Sequence, residues 1–173
     1  NQRGESYRLV RDPLGRIVEE IDYWGQSRRY TYNSGGQLVR SEDALGRVID
    51  YDCDELGRLT KKRLPDGTIE EFGYDPSGNL ISAKNPVCEV RRSYDAEGRL
   101  VRETQNDFSI QNSYDAAGRR TRRESSLGNV VEYRYDPLGR VAEICVNDGE
   151  PIQISRDAAG QAVEERLSST LIR

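Results

Sequence analysis

The sequence contains no histidine and no methionine, and only three cysteines and one tryptophan, in 173 residues. Without His, no Ser-His or Cys-His centre can be built from this chain alone. Cys53, Cys88 and Cys145 are odd in number and far apart. That fits neither a disulfide framework nor a zinc site, and reads as three reduced thiols. An excess of one charge sign is also missing. Lys and Arg number 26 against 30 Asp and Glu, a net charge of −4, and the two signs are interleaved. No basic stripe points to nucleic acid and no charge block reads as a tail. No apolar stretch approaches a membrane span. No signal peptide is visible, and the lack of an initiator Met leads to the expectation of a fragment or processed product. Hydrophobic residues make up 35% and charged residues 32%, a thin apolar supply for a packed core. Yet ten Tyr, with Val, Ile and Leu spread evenly along the chain, are not a disorder signature.

What the chain does have is a repeat. Gly15, Gly36, Gly57, Gly78, Gly98, Gly118, Gly139 and Gly160 recur at steps of 20 or 21 residues. Three residues before each stands Asp12, Asn33, Asp54, Asp75, Asp95, Asp115, Asp136 or Asp157. Immediately before that lies Tyr32, Tyr74, Tyr94, Tyr114 or Tyr135, with Arg11, Cys53 and Arg156 as exceptions. Arg16, Arg58, Arg99, Arg119 or Arg140 follows the Gly, and elsewhere Gln37, Asn79 or Gln161. A second turn sits halfway between, at Gly25, Gly46, Gly67, Gly128 and Gly149, and Gly4 extends it backwards. Cys88 and Phe108 occupy the half-way points that lack Gly, where a different turn is expected.

The unit is therefore one strand and one turn in 10–11 residues. Asp-x-x-Gly is a type I turn signature, with the Asp side chain capping the turn and Gly left-handed at its exit. Such turns between Tyr/Val/Ile/Leu-bearing runs predict an all-β chain of tandem antiparallel β-hairpins. The register follows. The Tyr four before the Gly should face the aliphatic residue two after it, pairing Tyr32 with Leu38, Tyr74 with Leu80, Tyr94 with Leu100 and Tyr135 with Val141. Aromatic–aliphatic pairs of this kind contribute about 0.2–1 kcal/mol each. Val18, Val39, Ile81, Val101 and Val163 fall on the opposite face, and Arg40, Lys61, Arg102 and Arg122 further from the turn. This reads as a wall wetted on both sides. About sixteen strands would make an open sheet too wide to stay flat, so a curved or spiralling sheet is expected. Its open edges, near Tyr7 and Val163, should favour self-association.

Tyr94-Asp95-Ala96-Glu97-Gly98-Arg99-Leu100 and Tyr135-Asp136-Pro137-Leu138-Gly139-Arg140-Val141 resemble the YD-repeat, or Rhs, family. The resemblance covers nearly the whole chain as eight tandem copies, one array over residues 1–173. It implies a hollow β-shell enclosing a C-terminal toxin in bacterial proteins and toxin complexes, or a similar shell outside animal cells. Full shells are several times longer, so this chain would supply part of a wall. The implied partners are the remainder of the shell and its enclosed toxin domain. The implied location is the bacterial cytoplasm before export, then secreted or at the cell surface. Tyr133-Arg134-Tyr135-Asp136-Pro137-Leu138-Gly139-Arg140 resembles the stretch near the shell's end, but another repeat follows it and no cleavage pair is assigned.

The aspartates could be read as acid/base or metal-binding groups. They recur identically at every turn, however, whereas catalytic groups need individually tuned environments. No catalytic residue, metal or cofactor is assigned. Asp50, Asp52, Asp54 and Glu55 form the densest acidic cluster and read as solvated charge. Tyr23, Trp24, Tyr30 and Tyr32 form the densest aromatic patch, which reads as cross-strand packing. Trp24, at a turn tip, is the candidate contact residue. The leading expectation is a structural shell segment without enzymatic activity. The alternative is a cell-surface module of the same repeat that binds glycan or protein.

Overall fold

The computed structural model describes residues 6–157, 159–167 and 170–172. Gly4 lies outside the described residues. The chain is all-β, with no helix among the described residues. It divides into two compact units, Asn1–Cys88 and Glu89–Arg173. The first holds β1 (Arg8–Arg11), β2 (Ile17–Ile21), β3 (Ser27–Tyr32), β4 (Leu38–Glu42), β5 (Val48–Cys53), β6 (Leu59–Arg63), β7 (Ile69–Tyr74) and β8 (Leu80–Lys84). The second holds β9 (Glu89–Tyr94), β10 (Leu100–Gln105), β11 (Phe108–Tyr114), β12 (Arg120–Ser125), β13 (Val130–Tyr135), β14 (Val141–Val146), β15 (Ile152–Arg156), β16 (Ala162–Leu167) and β17 (Thr170–Ile172). Within each unit every strand runs antiparallel to the next in the chain.

The turns explain this meander. At the first, the Gly15 N–H donates to the Asp12 carbonyl at 2.9 Å and the Asp12 N–H to the Arg16 carbonyl at 3.0 Å. Closing that pair requires a left-handed residue after a type I turn. Gly98, Gly118 and Gly139 take it at φ of 78°, 80° and 80°. Beyond the turn, Tyr32 faces Leu38, Tyr74 faces Leu80, Tyr94 faces Leu100 and Tyr135 faces Val141, as the spacing predicts. The next step slips by one residue. Thr31 pairs with Arg40, so Val39 is an extra residue opposite no partner. Thr60, Ile81 and Val101 stand in the same place. Each is a β-bulge, which adds local twist to its hairpin.

The two faces carry different side chains, yet neither buries a hydrophobic one among the described residues, in keeping with a wall wetted on both sides. Directly opposed residues share a face, and successive ones alternate. In the first unit one face carries Tyr30, Tyr32, Leu38, Ile49, Tyr51 and Phe72, together with the Lys62–Glu70 ion pair. The other carries the ion pairs Glu19–Arg29, Arg40–Asp50, Asp52–Arg63 and Lys61–Glu71. In the second unit Tyr94, Leu100, Ile110, Tyr114, Tyr133 and Ile144 share one face with the Arg92–Glu103 ion pair. Arg122–Glu132 and Arg134–Glu143 pair on the other. The bulged aliphatics hid this from the sequence, because they fall beside the turns on the charged face. Even so, no described hydrophobic side chain is buried, and only Ser41 and Asn112 are.

β17 pairs with β16 only at Glu165–Leu167, so Val163 keeps an unpaired side near the end of the sheet. One further expectation changes. Gly149 is not the left-handed residue of its turn. Asn147 and Asp148 take φ of 51° and 56° there, and the Gly149 N–H closes onto the Val146 carbonyl at 2.9 Å. That is a two-residue turn of the type I′ form favoured in hairpins. The Gly-less half-way points do have different turns. Asn106 takes φ of 50° between paired Gln105 and Phe108. At the other, the Asn85 side chain accepts from the Val87 and Cys88 N–H groups.

Candidate functional site

The repeated chemistry is a clasp that joins each hairpin to the next. At Asp12, Oδ1 accepts the N–H groups of Leu14 and Arg16 at 2.9 and 3.0 Å. Its second oxygen accepts Arg16 Nε at 2.7 Å. Asp54, Asp95, Asp115 and Asp136 repeat this with Arg58, Arg99, Arg119 and Arg140. Asn33 makes a neutral version with Gln37, Asp75 accepts from Asn79, and Asp157 accepts the Gln161 N–H. The Arg16 side chain, helped by its own backbone N–H, holds the Asp12 carboxyl below its ordinary value. Arg58 does the same for Asp54. At Asp115 and Asp136 the backbone N–H groups of Arg119 and Arg140 lead and the guanidinium follows.

The same arginine reaches forward. Arg16 lies 4.8 Å from the ring centre of Tyr32, Arg58 4.8 Å from Tyr74, Arg99 5.1 Å from Tyr114 and Arg119 4.8 Å from Tyr135. Each is a cation–π contact between successive repeats. Beneath the guanidinium, the tyrosine hydroxyl donates to the carbonyl two after the previous glycine. These carbonyls are Ile17 for Tyr32, Leu59 for Tyr74, Leu100 for Tyr114 and Arg120 for Tyr135. Tyr94 stands at the equivalent place opposite Leu100. The motif is thus a bridge read across two repeats: Asp holds Arg, Arg covers the next Tyr, and that Tyr ties back to the first hairpin.

Two departures follow the same logic. Gln37 precedes the repeat in which Cys53 replaces Tyr, so no ring awaits a guanidinium, and Gln37 Nε2 instead reaches the Asp54 carbonyl at 3.1 Å. Arg156 replaces Tyr in its repeat and donates to the Val141 carbonyl at 3.2 Å, the same carbonyl position.

Several partners escaped the sequence reading. Asp22 and Asp43 cap half-way turns as Asp12 caps its own, and their signal was the same three-residue spacing to Gly25 and Gly46. In the second unit Asn106, Ser126 and Asn147 clamp neighbouring hairpins. The Asn147 N–H donates to the Val130 carbonyl at 2.9 Å while its side chain accepts the Val130 N–H at 2.7 Å. Asn106 grips Glu89, and Ser126 grips Ser109, in the same two-way fashion. A side-chain oxygen here supplies what the backbone of a longer strand would.

Trp24 is 80% exposed at its turn tip. Leu14, Leu45, Leu56, Leu127 and Leu138 also precede their turn glycines and are exposed to a similar degree. Position in the turn, not tryptophan itself, sets this exposure. The acidic cluster is divided among separate arginines: Asp50 pairs with Arg40, Asp52 with Arg63 and Asp54 with Arg58. Among the described residues no group of three His, Cys, Asp or Glu could hold a metal ion.

The comparisons agree with this architecture. No curated protein matches the chain. A crystal structure of TcdB2-TccC3 aligns with 91% of the chain and 10% of its own, at a TM-score of 0.76 and 15% identity. The TcdB2-TccC3-TEV crystal structure aligns with 92% of the chain and 13% of its own, at 0.60 and 15% identity. A Photorhabdus luminescens Tc holotoxin pore structure aligns with 95% and 13%, at 0.51 and 14% identity. The chain thus spans about a tenth to an eighth of those chains, and at such identities the likeness is one of fold. The RHS Repeat family model matches residues 32–69, 54–87 and 114–162, which is more than half of the sequence, and the chain belongs to that family.

Proposed function

We propose that this chain is a stretch of wall in a larger bacterial Rhs-type shell that encloses and delivers a toxic cargo. The observation that carries the reading is that each unit is a single layer of clasped hairpins with no buried hydrophobic side chain among the described residues. Such a layer separates two environments without a core of its own. Its fold likeness to a small part of the much longer TcdB2-TccC3 chain supports the same reading. The repeat residues, from Asp12 and Gly15 to Asp157 and Gly160 with Tyr32, Tyr74, Tyr94, Tyr114 and Tyr135, then act as the wall's joints. The role is structural, not enzymatic. Its partners are the remainder of the shell and the cargo domain within. The shell would be made in the cytoplasm and then exported or displayed at the cell surface.

The test is protease protection of the longer native protein. A C-terminal cargo segment should resist digestion while the wall is intact, and become sensitive when turns are broken by combined Gly57→Val and Gly118→Val changes, which force β-branched side chains to φ near 80°. Cargo digested equally fast in both proteins would refute enclosure.

A further inference from the structure

Arg120 breaks the repeat. It stands two residues after Gly118, where other repeats carry an aliphatic residue such as Leu59 or Leu100. In the fold it is half-buried and opposes Tyr114, on the aromatic face of the second unit. Its guanidinium lies 5.0 Å from the ring centre of Tyr133 and reaches that hydroxyl at 3.4 Å, while its Nε is buried with no hydrogen-bond partner. Arg123 stands on the same face opposite Asn112 and is exposed. Neither arginine has an ion pair among the described residues, whereas Arg122, on the other face, pairs with both Glu124 and Glu132. Around the two, the face carries Ile110, Asn112 and Tyr114 on β11 and Val131, Tyr133 and Tyr135 on β13, and no carboxylate. On β10 the acid of this face, Glu103, is already held by Arg92 at 2.7 Å.

A half-buried cation without a counter-charge is costly unless something outside the chain supplies one. We propose that β12 is a docking strip for an acidic segment of a partner protein, extended and carrying carboxylates at alternate positions. The spacing chooses that partner. Thr121 is a bulge, so Arg120 and Arg123 oppose Tyr114 and Asn112 and stand two strand positions apart, about 7 Å. Carboxylates at i and i+2 of an extended segment share one face at the same spacing. Each guanidinium can then take one carboxylate through two parallel N–H groups. An aliphatic side chain at i+4 falls over Ser125, beside Ile110. A polyanion such as nucleic acid gains its affinity from many phosphate contacts, and this row holds two cations. It ends at Ser125 on one side and at the Asp115 turn on the other, where Arg119 is already paired. A purely apolar segment would bury Arg120 further without pairing it. The strip is independent of the wall reading and can hold or fail without it.

The full chain tests this by NMR titration with a short blocked peptide whose centre reads Glu-Ser-Glu-Ser-Leu. The peptide should shift resonances of Ile110, Asn112, Arg123 and Tyr133, and its affinity should fall as salt is raised. Replacing both peptide glutamates by glutamine should weaken binding about tenfold. The exposed change Arg123→Gln should weaken it by a similar factor with an unchanged circular dichroism spectrum. Arg120→Leu, which restores the aliphatic residue of the other repeats, should weaken it as much while the thermal midpoint holds or rises. Loss of binding without loss of stability separates lost pairing from misfolding, and Arg123→Gln decides alone if Arg120→Leu lowers the midpoint. Arg134→Gln, on the opposite face, should leave affinity unchanged. No shift with the peptide would overturn the proposal. So would equal affinity for the glutamine peptide, affinity that survives both arginine substitutions, or tighter binding of heparin or inorganic phosphate than of the peptide at the same resonances.

Discussion

If the joint between repeats is one unit, then removing the guanidinium and removing the ring beneath it cannot be independent. Arg58 and Tyr74 test this. Arg58 pairs with Asp54, covers Tyr74 at 4.8 Å and donates to the Asp75 carbonyl at 3.2 Å. Arg58→Gln is the informative change, because Gln37 shows that glutamine at this position still reaches the next turn's carbonyl. It removes the Asp54 ion pair together with the stacking, so the stacking, worth about 0.5–1 kcal/mol, is isolated by the coupling to Tyr74 and not by the single change. Tyr74→Phe keeps the ring and loses the 2.9 Å hydrogen bond to Leu59, about 1 kcal/mol. Tyr74→Leu loses both. The cycle Arg58→Gln with Tyr74→Leu should therefore show a coupling of about 0.5–1 kcal/mol, and the cycle with Tyr74→Phe almost none. Native-state hydrogen exchange of amides in β6 to β8 reads the effect locally, and about 0.8 kcal/mol appears as roughly a fourfold change in opening. Additivity of Arg58→Gln and Tyr74→Leu within about 0.3 kcal/mol would refute the clasp as a coupled unit.

Three more outcomes are expected. The turn carboxyls of Asp12, Asp54, Asp115 and Asp136 titrate lower folded than unfolded, so their stabilisation is present above the ordinary carboxylate range and is lost as pH falls through the lower folded values. Acid unfolding below about pH 4, with uptake of several protons, should follow in circular dichroism, and a spectrum unchanged to about pH 2 would contradict it. Gly118→Ala forces a side chain to φ near 80° and should cost about 1–2 kcal/mol in denaturant unfolding, whereas a neutral result would remove the turn argument. With a half-exposed aromatic face in each unit, the isolated chain should self-associate. Light scattering over a concentration series checks this, and a monodisperse monomer throughout would count against it.

Spacing alone carried the turns and the Tyr-to-aliphatic register, because both are local. A glycine after a type I turn leaves one way to continue, and that fixes the first facing pair. The bulge came next and was not legible. Nothing in Val39 or Val101 marks an unpaired residue, and one slip of register decides which face every later side chain takes. Tyr114 and Tyr135 were recognisable as packing residues, but not their partners, which belong to neighbouring turns. The carbonyl each tyrosine binds lies 14 or 15 residues away and has no side-chain signature. Gly149 was misplaced because its dipeptide neighbours Asn147 and Asp148 accept left-handed backbone themselves.

The pairing of every strand with only its neighbours in sequence has a consequence for how such a chain is made. Most all-β proteins fold slowly because distant segments must meet before any contact is rewarded. Here no strand waits for a distant one. Arg8 meets Ile21, and β9 meets β10 six residues after it ends. A hairpin can close as soon as its own residues leave the ribosome, and the next adds to a finished edge. Growth by accretion also makes length a free variable. Inserting or deleting one 20- or 21-residue period changes the extent of the array and leaves each remaining joint with the neighbours it needs.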